Sequence, residues 1–129
     1  MSFTLEQTQK MVRDAVAAHP NRKNPVEKGS SLACMYTSTN GKSHCIAGQV
    51  FADAGLPMPE PRAGAIPDIE ITMPELRVQF TDDAWEYLFQ AQCIFDGGYV
   101  HDLEDPRNHV GPRVWKTALK LLEKARNAA

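Results

Sequence analysis

The stretch TDDAWEYLFQAQCIFDGG, residues 81–98, decides how the rest of the chain is read. Thr81 supplies a side-chain oxygen where a helix N-cap wants one, and Asp82 and Asp83 fall in the first turn, where the helix dipole favours negative charge. Ala84, Leu88, Ala91 and Phe95 then recur at steps of four, three and four, which puts them on one helical face. Trp85 and Phe89 widen that face, and Gly97-Gly98 closes the segment. A buried, amphipathic helix over this stretch predicts a helical core.

Two further helices flank it in the sequence. Leu5–Ala18 carries Val12, Ala15 and Val16 on one face with Leu5, and Met11 beside them. Thr4 and Gln7 have the spacing of a capping box, and His19-Pro20 ends the helix because a residue before proline is pushed out of helical space. His44–Ala54 carries Ile46, Ala47, Val50, Phe51 and Ala54, with Ser43 as its cap. Gly55 is placed for the left-handed C′ position, Leu56 for packing back on Phe51, and Pro57 to forbid continuation. A last helix is expected from Pro112, a favourable first position, with Val114, Ala118, Leu121 and Ala125 as its stripe and Trp115 and Leu122 alongside.

Between the helices the signals change. Residues 20–31 are polar, with Pro25 and Gly29, and predict a loop. Leu32–Thr37 followed by Asn40-Gly41 predicts a small β-hairpin, since both turn residues tolerate positive φ. Pro57, Pro59, Pro61 and Pro67 predict an extended connection near 57–68. Leu76, Val78 and Phe80 alternate with Arg77 and Gln79, as in a half-buried strand with Pro74 at its start. The expected class is therefore α+β and mostly helical, with about four helices and a small β-hairpin packed against them, in a single domain over 1–129.

Composition is ordinary for a globular domain: 43 % apolar, 23 % charged and ten aromatics among 129 residues. That is enough to fill a core without staples. The sequence has no apolar run of membrane-spanning length, and Met1–Lys10 lacks the apolar core of a signal peptide. The expectation is a cytoplasmic protein with Cys34, Cys45 and Cys93 reduced; the odd count also argues against a disulfide framework. Charge is uneven: residues 1–59 carry a net +2, residues 60–105 a net −9 and residues 106–129 a net +5, which predicts that the basic C-terminal helix lies near the acidic middle.

Cys34-Met35-Tyr36, Gly41 and Cys45-Ile46-Ala47-Gly48 form one familiar segment. Ala91-Gln92, Asp96, Gly98, Trp115 and Ala118 form another. Together they resemble small uncharacterised proteins of actinobacteria and their phages, over about half the chain. The stretch between Gly98 and Trp115 is longer here than in that pattern. The resemblance implies a small accessory protein and brings no activity with it.

Several constellations could carry chemistry. Cys34, His44, Cys45 and Cys93 have the residue types of a structural zinc site, but the spacing matches neither a finger nor a ribbon, and cysteine is a common core residue. Cys45 at a helix start could be an activated thiol. A papain-type arrangement would then need a histidine on a following strand, whereas His101 and His109 lie in a polar loop. Arg113, Lys116, Lys120 and Lys124 form a basic face that could track phosphates, or a solvated face on a helix whose C-terminus favours cations. Asp82, Asp83 and Glu86, and Asp102, Glu104 and Asp105, read as helix-start and loop carboxylates or as a surface for a basic partner. Trp85, Phe89, Phe95, Tyr99 and Trp115 read as core, and Gly97-Gly98 lacks the flanking elements of a phosphate cradle.

No catalytic residue, metal ligand set or cofactor is assigned from these patterns, and partner-binding residues and oligomeric state stay open. The leading expectation is a non-enzymatic protein acting through an unidentified protein partner, with no membrane partner. A nucleic-acid-associated regulator using the last helix is the alternative, and a metal-stabilised or thiol-based protein is a third. The first rests on Cys34 and Cys45 being packing groups.

Overall fold

The computed structural model describes residues 2–24, 44–59, 66–97 and 111–127, without the side chains of residues 67 and 68. Six helices follow in order: α1 Leu5–Ala18, α2 Ile46–Asp53, α3 Ile66–Thr72, α4 Pro74–Arg77, α5 Asp82–Phe95 and α6 Trp115–Asn127. α5 is the centre, packing against α1, α2, α3 and α6. Its Ala84, Leu88, Ala91 and Phe95 are buried as expected, together with Trp85, Tyr87, Gln92 and Ile94. None of these helices is long and apolar enough to cross a membrane.

The α+β expectation is overturned. No sheet occurs among the described residues, and the β pairing of Phe3 with Phe80 is an isolated parallel bridge. Phe3 N–H donates to Gln79 O at 2.7 Å and Thr81 N–H to Phe3 O at 2.9 Å. The strand expected around Leu76–Phe80 is instead the single-turn α4 and the turn after it. Pro74 is the first helical residue, a position where its missing N–H costs nothing. Leu76 and Phe80 are buried while Val78 is exposed, so the inward step is four and not two. The hairpin stretch, Leu32–Thr37 with Asn40-Gly41, lies outside the described residues.

The four-helix expectation also missed α3. The proline-rich connection ends at Ile66, where a helix begins with Pro67 in its first turn; Ile66 and Ile69 are buried, three residues apart. Residues 60–65 lie outside the described residues. The last helix starts three residues later than expected, at Trp115 instead of Pro112, and its buried line is Trp115, Ala118 and Leu122, with Leu121 and Ala125 partly covered.

The ends of α1 and α2 follow the sequence closely. Thr4 Oγ1 accepts from Gln7 N–H at 3.2 Å and Thr4 N–H donates to Gln7 Oε1 at 2.9 Å, a complete capping box. At the end of α2, Leu56 N–H reaches Phe51 O at 2.9 Å and Gly55 N–H reaches Ala52 O at 3.1 Å, with Gly55 at φ +70°. This is the Schellman pair of bonds that satisfies the last carbonyls.

Gly97 matters for a different reason. It has φ +108°, and a Cβ there would collide with the backbone of Gly111. The turn after α5 and the approach to α6 therefore touch backbone to backbone, a contact that only glycine permits. Gly55 also has positive φ but faces open space. Gly97→Ala is expected to cost roughly 3 kcal/mol or more, against about 1 kcal/mol for Gly55→Ala, because overlap adds to backbone strain only at the first. Chemical denaturation of the two variants gives this ranking directly.

Candidate functional site

Of the residues that the sequence marks for chemistry, Cys45 lies at the N-terminus of α2. A helix start leaves its first amides without intrahelical acceptors, and here that start is buried. Ile46, Ala47 and Gly48 are all inaccessible to solvent or nearly so. Each finds a partner from a different part of the chain. Ile46 N–H donates to Asn24 Oδ1 at 2.9 Å, Ala47 N–H to Gln92 Oε1 at 3.3 Å, and Gly48 N–H to Cys45 Sγ at 3.3 Å.

Asn24 does more than cap α2. Its Oδ1 also accepts from Trp115 Nε1–H at 3.0 Å, and its Nδ2 donates to Asp96 Oδ1 at 2.8 Å. Gln92 Nε2 donates to the other oxygen, Asp96 Oδ2, at 3.3 Å. The two amide side chains thus tie the start of α2 to the end of α5 and the start of α6. Both are 3 % exposed.

The segment 20–24 holds α6 as well. Trp115 N–H donates to Arg22 O at 2.8 Å and Lys116 N–H to Pro20 O at 3.0 Å. The Trp115 ring is buried between His19, edge-on at 6.2 Å, and Phe95 at 6.2 Å, with the Arg22 guanidinium 5.1 Å from its centroid. Arg22 Nη1 donates to Gln49 Oε1 at 2.7 Å. Burial pulls the pKa of Arg22 down, and Asp53 nearby offsets part of that.

Cys45 is therefore the N-cap of α2, and Ser43, expected in that role, lies outside the described residues. Its sulfur is fully buried and accepts a backbone hydrogen bond. Cys93, on α5, is partly exposed. Cys34, His101 and His109 lie outside the described residues, so neither the four-residue zinc arrangement nor the thiol–histidine arrangement is assembled among the described ones. These contain no group of three or more side chains able to hold a metal ion.

The charged clusters separate too. Arg113 is not on the helix: its Nη1 donates to Ile94 O at 2.7 Å and its backbone N–H to Phe95 O at 3.1 Å, capping the C-terminus of α5. Lys116, Lys120 and Lys124 remain as an exposed row on α6. Asp82 pairs with Arg77, and Asp83 accepts from Thr81 Oγ1 at 2.6 Å, so both serve the start of α5. Asp102, Glu104 and Asp105 lie outside the described residues.

On the opposite side of α5, a groove of about 470 Å³ opens between α1, α5 and α6. Gln9, Arg13, Tyr87, Glu123, Arg126 and Asn127 line it. Tyr87 is 2 % exposed, and its hydroxyl has no hydrogen-bond partner among the described residues. The Arg126 guanidinium lies 5.0 Å from the centre of the Tyr87 ring and binds Gln90 Oε1 at 2.5 Å. Burial pushes the phenol pKa up to about 12, against the pull of Arg126 and Arg13 and with a smaller push from Glu123.

Comparison with known proteins returns no matching family, no matching curated protein and no matching solved structure. The geometry stands by itself. It also shows what the sequence reading missed. Asn24 sat in a polar loop with no sign of burial. Gln92 carried a readable signal, a polar residue four positions after Leu88 on the apolar face.

Two measurements follow. Asn24→Ala strands the Ile46 amide and the Trp115 indole N–H, and is expected to cost about 2–4 kcal/mol in urea denaturation, the range for orphaned buried donors that act together. Tyr87 favours the neutral phenol in the folded state, so its contribution is full below about pH 10 and is lost as pH rises toward 12. Wild type is expected to lose of order 2 kcal/mol of stability relative to Tyr87→Phe across that window. Parallel denaturation series at pH 9 and above compare the slopes.

Proposed function

We propose that this chain is a non-enzymatic accessory protein that works by contact with another protein, in the manner implied by its resemblance to small actinobacterial and phage proteins. The observation that carries this reading is the state of Cys45. Its sulfur has no solvent exposure and accepts the Gly48 amide, while Asn24 and Gln92 beside it spend their amides on holding helices together. A nucleophile needs access and a base within reach, and a thiol in this setting serves packing. The same dry sulfur fits a protein kept in a reducing compartment, the cytoplasm.

A contact surface is available elsewhere. Ile71 is 80 % exposed and Val78 63 % exposed, and they lie on α3 and just after α4, on either side of Arg77. Isolated apolar side chains at a surface are common, so these two mark where to mutate and carry no weight alone. The second reading, binding of nucleic acid, is favoured by a specific feature: Lys116, Lys120 and Lys124 step by four along the exposed side of α6.

Affinity capture from the native host separates these readings. Protein contact predicts a reproducible, nuclease-resistant partner whose recovery falls when Ile71 and Val78 are changed to Ser. Nucleic-acid binding predicts nuclease-sensitive recovery, lost when the three lysines become Gln. Cys45 is expected to resist a thiol reagent in the folded protein and to react only on unfolding; rapid labelling under native conditions would end the non-enzymatic reading.

A further inference from the structure

We propose that the groove between α1, α5 and α6 binds a small oxyanion, a carboxylate or a phosphate, held by Arg13, Arg126 and the hydroxyl of Tyr87. This does not depend on the protein-contact reading, since it uses a different face and different residues.

Tyr87 is almost wholly buried on α5, yet its hydroxyl meets no donor or acceptor among the described residues and faces the groove that its residue lines. Among the described residues the buried side-chain donor left without a partner is Trp85 Nε1; the Tyr87 hydroxyl instead opens on the groove, where a ligand oxygen can take the place of water. A phenol both donates and accepts, so the charges beside it decide the class of ligand. At neutral pH the phenol is protonated, as an unperturbed phenol would be, and can donate to an oxyanion.

The charges around the hydroxyl support the same class. Arg126 is already fixed, its guanidinium stacked on the Tyr87 ring and anchored by Gln90 Oε1. A pre-positioned guanidinium loses little freedom on binding an oxyanion. Arg13 comes from α1 across the groove and has no ion-pair partner among the described residues. Glu123 is the one carboxylate in the lining, so the lining carries one net positive charge. Gln9 and Asn127 add neutral amides able to donate. The volume of about 470 Å³ is that of a small-molecule site.

The test uses the full chain and two probes, inorganic phosphate and succinate, at matched ionic strength with chloride as the control. Chemical-shift titration reads affinity and place together. Saturable binding of either probe on the order of millimolar, with shifts at Gln9, Tyr87 and Asn127, is the expected result. The tighter of the two identifies the oxyanion. Arg13 is exposed, so Arg13→Gln should leave folding intact and weaken binding about fivefold, while Glu123→Gln should tighten it by about the same factor. Tyr87→Phe keeps the ring and removes only the hydroxyl, and should weaken binding without lowering Tm. No saturable response to either probe overturns the proposal. So does weaker binding in Glu123→Gln, which would mark a cation site, or unchanged affinity in both Arg13→Gln and Tyr87→Phe.

Discussion

The start of α2 is a helix N-terminus placed inside the protein. That location creates a demand that water cannot meet: three backbone amides, at Ile46, Ala47 and Gly48, need acceptors. The acceptors come from Asn24, Gln92 and Cys45. Much of the remaining architecture can be read as a consequence. Asn24 reaches α2 only if the segment after α1 turns back over the core, and that same segment supplies the carbonyls of Pro20 and Arg22 to the start of α6. Asp96 completes the amide pairs only at the end of α5, where Gly97 lets the chain pass against Gly111. A network of this kind is cooperative, since each group orients its neighbour, and removing one member leaves several unsatisfied.

How far the sequence foretold this depends on the range of the interaction. The capping box at Thr4 and Gln7, the Gly55 stop and the whole of α5 are local devices, made within a few residues, and all were legible. Asn24 meets Trp115 across 91 positions, and no local pattern announces such a pairing. The misread strand at Leu76–Phe80 has a related cause. Over five residues, apolar positions at 76, 78 and 80 suit a period of two and also an inward step of four. Tertiary packing chose the second, putting Leu76 and Phe80 inside with Val78 outside. In α6, Pro112 is a good first residue for a helix, but Arg113 is held by the α5 carbonyls and the helix waits for Trp115.

The short motifs behind the resemblance acquire a physical meaning in this light. Cys45-Ile46-Ala47-Gly48, Gln92, Asp96 and Trp115 are members of one hydrogen-bonded network. A cysteine at a helix start suggests an activated thiol in the sequence; the structure makes it one member of this network. In space its parts are bonded to one another and to backbone. Taken together these residues describe a way of building the core.

Burial and polarity alone therefore do not distinguish structural groups from functional ones here; hydrogen-bonding capacity left over does. Asn24 Oδ1 accepts twice and Nδ2 donates to Asp96, so that side chain has little to offer a ligand. Tyr87 is buried to a similar degree, but its hydroxyl is unused among the described residues, and it shares a groove with two guanidinium groups and a single carboxylate. The two sites lie on the same helix, α5, and their difference follows from what each faces. Gln92 faces a helix end whose amides must be answered by protein. Tyr87 faces an opening, where an unanswered donor and an uncompensated positive charge can be satisfied from solution.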